Sequence, residues 1–348
     1  MITRWTPWPL VNMLQSRLRV PMPPLEAGAT RQWQLAPGRR QVVPKAFFLD
    51  GQLERVRRWV FADEHPGREM HGGHEVRHGP TRAMLLEQVW LVDGVLYHGR
   101  ACEHLQPRAH RLPRLRVDRE LGHGALACSQ HGNQYFGSWL MDDVPRYFLA
   151  EGHGEAIVTA AARSEHQRDY AARLELRATP IAAARIRQLV VFDDRGQNHD
   201  KAARAALVRE RLAGADAARH PGVFLLRGEA GMRRVLRGER ALAEQLARTR
   251  GLTILDPMRT DVATIIARCA GAALVVGVEG SGLIHGAQLL RPGASLLVLQ
   301  PPDRFCAVFK HLADRDGLHF AFVVGRAEGE DFAVDADEVE RTLDLLPA

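Results

Sequence analysis

The second half of the chain alternates short apolar runs with amphipathic stretches of helical length. Runs such as VFLLRG (223–228) and SLLVLQ (295–300) have the length of buried strands, and ERALAEQLARTRG (239–251) reads as a helix that ends at Gly251. Strands that are apolar almost throughout are typical of a parallel sheet covered by helices on both faces. The pattern therefore predicts an α/β fold. The predicted strands are 187–192, 223–228, 252–257, 272–278, 295–300 and 319–325, and the predicted helices are 199–214, 239–251, 260–271, 283–290, 304–317 and 336–346.

The first 180 residues have a weaker pattern. A stretch rich in proline and arginine contains one predicted strand, KAFFLD (45–50), and the run 82–100 alternates around Asp93-Gly94 as a β-hairpin does. A helix is expected over 140–151 and a strand over 156–160. The resulting division is an irregular arm with the first strands over 1–80, an α/β domain over 81–180, a nucleotide-binding domain over 181–330 and a C-terminal helix over 331–348.

Composition narrows the class of protein. The chain has 348 residues, of which 46% are hydrophobic and 25% charged, as in a globular protein with a core. Its formal charge is +6, but basic residues are interspersed with acidic ones and aromatic residues make up only 6%, so a nucleic-acid partner is not expected. Four cysteines without paired spacing favour a reducing compartment. We expect a cytoplasmic protein.

Two segments raise further possibilities. Trp5, Trp8 and Leu10 lie near arginines, so at most a peripheral contact with the inner face of the membrane is expected; packing of this arm on its own domain is the simpler interpretation. A loop rich in histidine suits no standard metal-ligand spacing, and we expect no metal site there. Its histidines are His65, His71, His74 and His78.

The most informative segment is VVGVEGSGLIHGAQLLRPGASLLVL (275–299). A buried strand ends at Val278 and leads through the turn 279–282 (EGSG) into a predicted helix. Glycines let a ligand approach the backbone closely, and the N–H groups at a helix start favour phosphate. The dinucleotide fingerprint G-x-G-x-x-G is not met, because His285 occupies its last position. A tight turn that binds nothing is the alternative.

This segment resembles the signature of glycosyltransferase family 61, which reads roughly vvGxhGAGLtNxxFmxPGxxviEl. Glu279 stands where the family usually has His, His285 where it has Asn, and Ser281 where it has Ala. The matching positions are Gly277, Gly280, Gly282, Leu283, Pro292 and Gly293.

Further blocks resemble the family in order and spacing, so that the resemblance covers about residues 125–325. Arg227 and Arg234 match the family's two arginines in 224–251, whereas Arg233 and Arg237 are read as surface charges. The segment 133–151 resembles the block NyfHWlxexLPRLxxl, with Ser138 in place of its His. The matching positions are Trp139, Leu140, Pro145 and Arg146, and Asp142 takes the acidic position.

The resemblance implies a GT-B-like enzyme, with two Rossmann-like domains facing a cleft and an irregular N-terminal segment, that inverts the anomeric carbon. Its partners would be a nucleoside-diphosphate sugar and a glycan or lipid-linked glycan acceptor, with no cofactor and no required metal. The implied donor-binding residues are Arg227, Arg234, Glu279, Gly280, Ser281, Gly282, Leu283 and His285, and those on the acceptor side are Ser138, Trp139 and Arg146.

The acceptor hydroxyl needs a base. Asp142 is our choice, with Asp143 and His131 in reserve, because on an α-helix Asp142 shares a face with Trp139 and Arg146 while Asp143 does not. A surface ion pair between Asp142 and Arg146 is the alternative interpretation. Two other functions stay open: a nucleotide-sugar-binding protein without catalysis, and a nucleotide-cofactor oxidoreductase.

Overall fold

The computed structural model describes residues 4–61, 66–107, 112–160, 163–214, 217–229 and 231–347. The chain divides into two compact units, one comprising 1–38 and 79–204 and the other 39–78 and 205–348. The α/β class is confirmed in each unit by a central sheet with helices. This division differs from the expected boundaries at 80 and 181.

The first unit is built on a mixed sheet. The predicted hairpin at Asp93-Gly94 is confirmed, and its first strand pairs antiparallel with Ala183–Asp193. The strands, in spatial order, are Thr179–Ile181, Ala156–Thr159, Glu120–Leu126, Ala183–Asp193, Thr81–Val92, Val95–His98 and Ala101–His104, with Arg31–Ala36 also paired to Thr81–Val92. Parallel pairing joins only the first four strands of this order, so the sheet is not that of an all-parallel Rossmann-like domain.

Short helices precede and follow these strands. The helix predicted over 140–151 begins as a π-helix, Trp139–Asp143, and continues as an α-helix, Val144–Glu151. The other helices of the first unit are Trp8–Arg17, Leu25–Gly28 (3₁₀), Gln130–Gln134, Phe136–Ser138 and Glu165–Arg173. The helix His199–Ala213 contains the boundary between the units. A two-stranded sheet pairs Arg4–Trp5 with Arg116–Val117.

The second unit has the parallel sheet that the sequence predicts. Its strands, in spatial order, are Thr253–Leu255, Val223–Leu225, Leu274–Val278, Ser295–Gln300 and His319–Val324. Numbered along the chain, that order is 2-1-3-4-5, a doubly wound arrangement. Its longer helices are Glu239–Arg250, Val262–Cys269, Val308–Asp316 and Ala336–Leu343, and its shorter ones are Leu53–Arg55 (3₁₀), Pro66–His71, Ser281–Leu283 (3₁₀) and Ile284–Ala287.

Helices cover both faces of this sheet. Phe224 and Val276 pack in one core cluster with residues of the helices Glu239–Arg250 and Ala336–Leu343. Their neighbours Leu225 and Val275 point the opposite way, where they meet Gly286 of the helix Ile284–Ala287. The alternation of side chains along each strand therefore separates the two covered faces.

Residues 39–78 join the second unit through specific contacts. The predicted strand at 45–50 is reduced to an isolated bridge between Phe47 and Ala321, and Phe48 stacks on Phe322. Further along, Arg55 donates two hydrogen bonds to Glu338, at 2.6 and 2.7 Å. These contacts depend on side chains far apart in sequence, so no local pattern predicts them.

The remaining small sheets pair Arg39–Val42 with Glu75–His78, Trp59–Val60 with Phe305–Cys306, and Arg326–Glu328 with Asp331–Ala333.

The Arg55–Glu338 pair makes the free energy of unfolding depend on pH in the acidic range. The hydrogen bond from Arg55 lowers the pKa of Glu338 from 4.5 to about 2. A carboxyl group whose pKa is lower in the folded than in the unfolded state stabilises the fold at pH values above its unfolded pKa. That stabilisation is lost as the pH falls through the folded pKa. We expect Glu338→Gln to cost about 2 kcal/mol at pH 7 and to flatten the stability curve between about pH 5 and pH 2, measured by urea unfolding. Glu328→Gln, an exposed partner of Arg237, is the matched control. An equal loss in both variants would contradict the prediction.

Candidate functional site

A group of charged residues lies at the carboxyl ends of three adjacent strands in the second unit. The strand order reverses between Val223–Leu225 and Leu274–Val278, and ligands of open α/β sheets bind outside the carboxyl ends at such a point. Arg227 follows the first of these strands, and Glu279 follows the second. Arg304 lies in the segment after the next strand, Ser295–Gln300. The topology thus brings together residues 77 positions apart.

Arg227 lies directly against the glycine turn (residues 279–282). A Cβ at Gly280 would overlap Nη1 of Arg227, and Gly280 has φ 150°, which favours glycine. The Arg227 guanidinium also donates to the carbonyl of Met232 at 2.6 Å. Gly280 is therefore required for the position of the arginine.

Glu279 is a buried carboxylate between two further arginines. Arg234 donates to Glu279 Oε2, and Nε of Arg304 lies 3.9 Å from the same oxygen. Within the described part of the chain, the Nε atoms of Arg227, Arg234 and Arg304 are all buried without a hydrogen-bond partner. One carboxylate therefore faces three guanidinium groups that retain unused donors.

The surplus of positive charge has an electrostatic consequence. Burial, followed by repulsion from Arg234, lowers the pKa of Arg227 to about 10, although nearby Glu279 raises it. Arg227 remains charged at neutral pH, but at a cost that an added anion would relieve. The cluster therefore has the charge and the free donors to bind a phosphate-bearing ligand.

The loop that carries Arg227 is held by Glu239. Its two carboxylate oxygens accept the backbone N–H groups of Arg227 and Gly228, each at 2.8 Å. Burial raises the pKa of Glu239 in spite of these bonds. Glu239 begins the helix Glu239–Arg250, so the helix start fixes the strand end.

The rest of the glycine turn presents backbone to its surroundings. Gly282 is exposed, and a Cβ there would meet no atom within 4 Å, whereas Leu283 and His285 are buried. The N–H groups of Ser281 and Gly282 open a helical segment and have no acceptor inside it. The predicted helix 283–290 is shorter in the structure, which has a 3₁₀ turn and the four residues Ile284–Ala287. Any anion there depends on the arginines more than on a helix dipole.

The two arginines read as surface charges lie where expected. Arg233 pairs with Asp331, with Nε–Oδ1 at 3.0 Å, and Arg237 pairs with Glu328. Arg304 and Glu239 were missed by the sequence analysis. Arg304 could have been found by asking which arginines follow the carboxyl end of each predicted strand.

The predicted base, Asp142, is paired with Lys201 in the first unit. Nζ of Lys201 lies 2.7 Å from Oδ1 of Asp142 and also donates to the carbonyl of Asp194 at 3.1 Å. The Lys201 side chain is 4% exposed, while that of Asp142 is 27% exposed. A buried ammonium thus holds a carboxylate that solvent still reaches. Lys201 was not predicted from the sequence, because only the fold brings it to Asp142.

Asp143 occupies a different environment. It is fully buried, accepts the backbone N–H of Ser129 at 3.1 Å, and its Oδ1 has no partner among the described residues. Burial raises its pKa from 3.8 to about 6, although the charge of Arg146 lowers it. Asp142 and Asp143 lie in the π-helix Trp139–Asp143. The sequence argument that placed Asp142 and Arg146 on one face assumed an α-helix throughout.

The remaining first-unit candidates surround the same helix. Trp139 is buried with Nε1 unpartnered among the described residues, as is Nε of Arg146, and the Arg163 guanidinium lies 5.5 Å from the Trp139 ring. Ser138 is half-buried. His131 is exposed and stacks on Tyr135, with ring centroids 6.5 Å apart.

Nothing in the described ranges forms a group of three His, Cys, Asp or Glu side chains able to hold a metal ion. Of the histidine-rich loop, His71 contacts Phe48, and burial lowers the pKa of His78. His65 lies outside the described residues. No helix among the described residues is long and apolar enough to span a membrane.

Comparison with known proteins supplies the class. The model of the family described as Glycosyltransferase 61 matches residues 136–297, a range that includes Asp142, Arg227 and the glycine turn. No curated protein matched the chain. A solved structure with a weak similarity is the flavodiiron protein from Giardia intestinalis, with 9% identity and a TM-score of 0.24 over 77% of this chain. The similarity spans 63% of that protein, and a score this low carries no argument.

The match to the Glycosyltransferase 61 model supports a glycosyltransferase activity. Residues 136–297 match glycosyltransferase family 61, as the sequence resemblance predicts.

The raised pKa of Asp143 gives a testable pH dependence. The folded protein retains a proton that the unfolded chain has lost, so Asp143 destabilises the fold increasingly as the pH rises from about 4 to about 6. Relative to the native chain, Asp143→Asn should gain about 2 kcal/mol between pH 4 and pH 7, measured by urea unfolding across that range. Glu151→Gln, at an exposed carboxylate further along the same helical segment, serves as the control. A stability difference that does not change with pH would exclude a buried, protonated Asp143.

Proposed function

We propose that the protein transfers a sugar, with inversion, from a nucleoside-diphosphate sugar to a glycan acceptor. The observation that supports this most strongly is the set of three buried Nε donors, on Arg227, Arg234 and Arg304, beside an open glycine turn. A diphosphate carries the negative charge and the multiple acceptor oxygens that such a set can satisfy. In this proposal the second unit is the donor side of a GT-B-like enzyme.

The arginines would act mainly on the leaving group. As the bond between the anomeric carbon and the diphosphate breaks, negative charge develops on the diphosphate oxygens. Preorganised donors stabilise a developing charge without reorganising at that moment. Arg227 is already fixed by Gly280 and Met232, and Arg234 by Glu279. These groups would do what a metal does elsewhere, so we propose that no metal is needed.

Asp142 is our proposed base. In the reaction it would take the proton of the acceptor hydroxyl as that oxygen attacks the anomeric carbon from the side opposite the diphosphate. Its exposure lets an acceptor reach it, and Lys201 fixes its orientation. Asp143 is buried too deeply to touch an acceptor and would position the helix. Ser138 and Arg146, which are partly exposed, remain the proposed acceptor-side residues, whereas Trp139 is as buried as Asp143 and would support the helix from inside.

We further propose that the acceptor is a glycan or lipid-linked glycan in surface polysaccharide synthesis, at the cytoplasmic side of the membrane. This part rests on the family resemblance alone.

Donor binding can be tested by thermal shift with UDP, GDP, CMP, ADP, NAD and NADP. A ligand at about 100 times its Kd adds roughly 2.7 kcal/mol of stability, which raises Tm measurably. One nucleoside diphosphate should stabilise the protein, and Arg304→Gln and Arg227→Gln should each weaken it about 10- to 100-fold, because each removes charged hydrogen bonds to phosphate. Gly282→Val should abolish binding while keeping the fold, because its side chain enters open space.

Two controls make this test specific. Arg233→Gln removes an arginine of the same loop that pairs with Asp331 at the surface, so it should bind the nucleotide normally. Gly286→Val overlaps Leu225 and Val275, so it should lower stability without a ligand. Equal loss of binding in Arg233→Gln, or a response to NAD or NADP alone, would refute the donor site.

The base is tested by kinetics once a donor is known. Asp142→Asn should lower kcat by about 10² to 10⁴ and leave nucleotide affinity unchanged, because general-base catalysis acts on the transition state. Glu151→Gln, an exposed carboxylate at the end of the same helical segment, is the control and should keep native kcat. A native kcat in Asp142→Asn together with a large loss in His131→Gln would move the base to His131.

A further inference from the structure

The helix Trp8–Arg17 of the first unit exposes leucines along one side. Leu10, Leu14 and Leu18 follow one another at intervals of four residues, which places them on one face. All three are exposed, Leu18 to 73%, and Trp5 just before the helix is 61% exposed. Exposed apolar residues that recur on one side of a helix are candidates for a surface of interaction.

The opposite face of this helix is polar and buried. Asn12 and Gln15 face the interior, and neither amide atom of Gln15 has a partner among the described residues. Trp8 lies on the same side and packs against the core cluster that contains Trp90 and Tyr97. The leucines of this helix are therefore directed outward, although a helix ordinarily buries such residues. Burying Gln15 without a partner costs free energy.

Arginines flank the leucine face, although Arg4 next to Trp5 is paired with Glu120. Arg17 and Arg19 are exposed beside Leu18, and Arg116 lies over the Trp5 ring at 4.7 Å. The neighbouring segment joins through the pairing of Arg4–Trp5 with Arg116–Val117 and exposes Leu112 to 82%. Stretch 1–25 contains no aspartate or glutamate, whereas Asp118 and Glu120 follow Arg116 on the paired segment.

We propose that this face binds the surface of a membrane that contains anionic lipid. Leucines at helical spacing would enter the boundary between headgroups and acyl chains, and Trp5 has the amphipathic ring that favours that depth. The arginines at its edge complement the negative headgroups, and each contributes to binding through that field. Charge complementarity selects anionic lipid over a second copy of this face, because two such faces would bring arginines together.

The test is sedimentation of the full-length chain with sucrose-loaded phosphatidylcholine vesicles, with and without phosphatidylglycerol. The protein should bind the anionic vesicles, and raised salt should weaken binding. Leu14→Ser with Leu18→Ser should lower the partition constant about tenfold or more. Arg17→Gln with Arg19→Gln should lower it about fivefold for each arginine removed. These side chains are exposed, so an unchanged Tm should accompany both losses.

Met258→Ser is the matched control, because it removes a side chain of similar exposure, 71%, from the second unit. It should bind vesicles as the native chain does. No binding to anionic vesicles at low salt would overturn the proposal, as would native binding in the leucine variant. A dimer in analytical ultracentrifugation that the leucine variant abolishes, without vesicle binding, would instead assign the face to self-association. The proposal is independent of donor binding, so the two tests fail separately.

Discussion

The carboxyl edge of the second sheet depends on one electrostatic constraint, the presence of three arginines around the buried Glu279. Burial and, after it, repulsion from Arg234 lower the pKa of Arg227, while Glu279 and Glu239 raise it. Glu279 compensates part of the charge through Arg234 and Arg304, and Gly280 gives Arg227 the space to lie against the turn. The positive charge of the three arginines that Glu279 does not compensate remains at this edge of the sheet. Glu239 at a helix start sustains this arrangement, because it holds the loop that carries Arg227.

The fold of the second half could be predicted largely from apolar periodicity, because buried parallel strands are apolar throughout and its helices end at glycines such as Gly251. Periodicity identifies a strand but not its partner. The strand Ala183–Asp193 has the same apolar texture, yet it pairs antiparallel with Thr81–Val92 and belongs to the first unit. The segment 39–78 was assigned to an N-terminal arm for the same reason, since the contacts of Phe47 and Arg55 that fix it involve residues more than 250 positions away.

The candidate site divides in the same way. Arg227, Arg234 and the glycine turn belong to local motifs, so the sequence alone predicts them as candidates. Arg304, Glu239 and Lys201 act through distant partners, and their neighbours in sequence give no sign of that role. The π-helix is a third kind of difference. One extra residue in a turn changes which side chains share a face, and propensity does not reveal it, so the α-helical spacing used to choose Asp142 over Asp143 does not apply over Trp139–Asp143.

Asp142 and Asp143 show how adjacent identical residues acquire different chemistry. Asp142 reaches solvent and has its charge compensated by the Lys201 ammonium, whereas Asp143 is enclosed, and the charge of Arg146 and hydrogen bonds from Ser129 only partly offset its burial. The desolvation cost that raises the pKa of Asp143 is the same cost that Lys201 offsets for its neighbour. A base has to touch its substrate, so exposure excludes Asp143 from that role even though its pKa lies nearer to neutrality. Geometry therefore decides between the two carboxylates before acidity does.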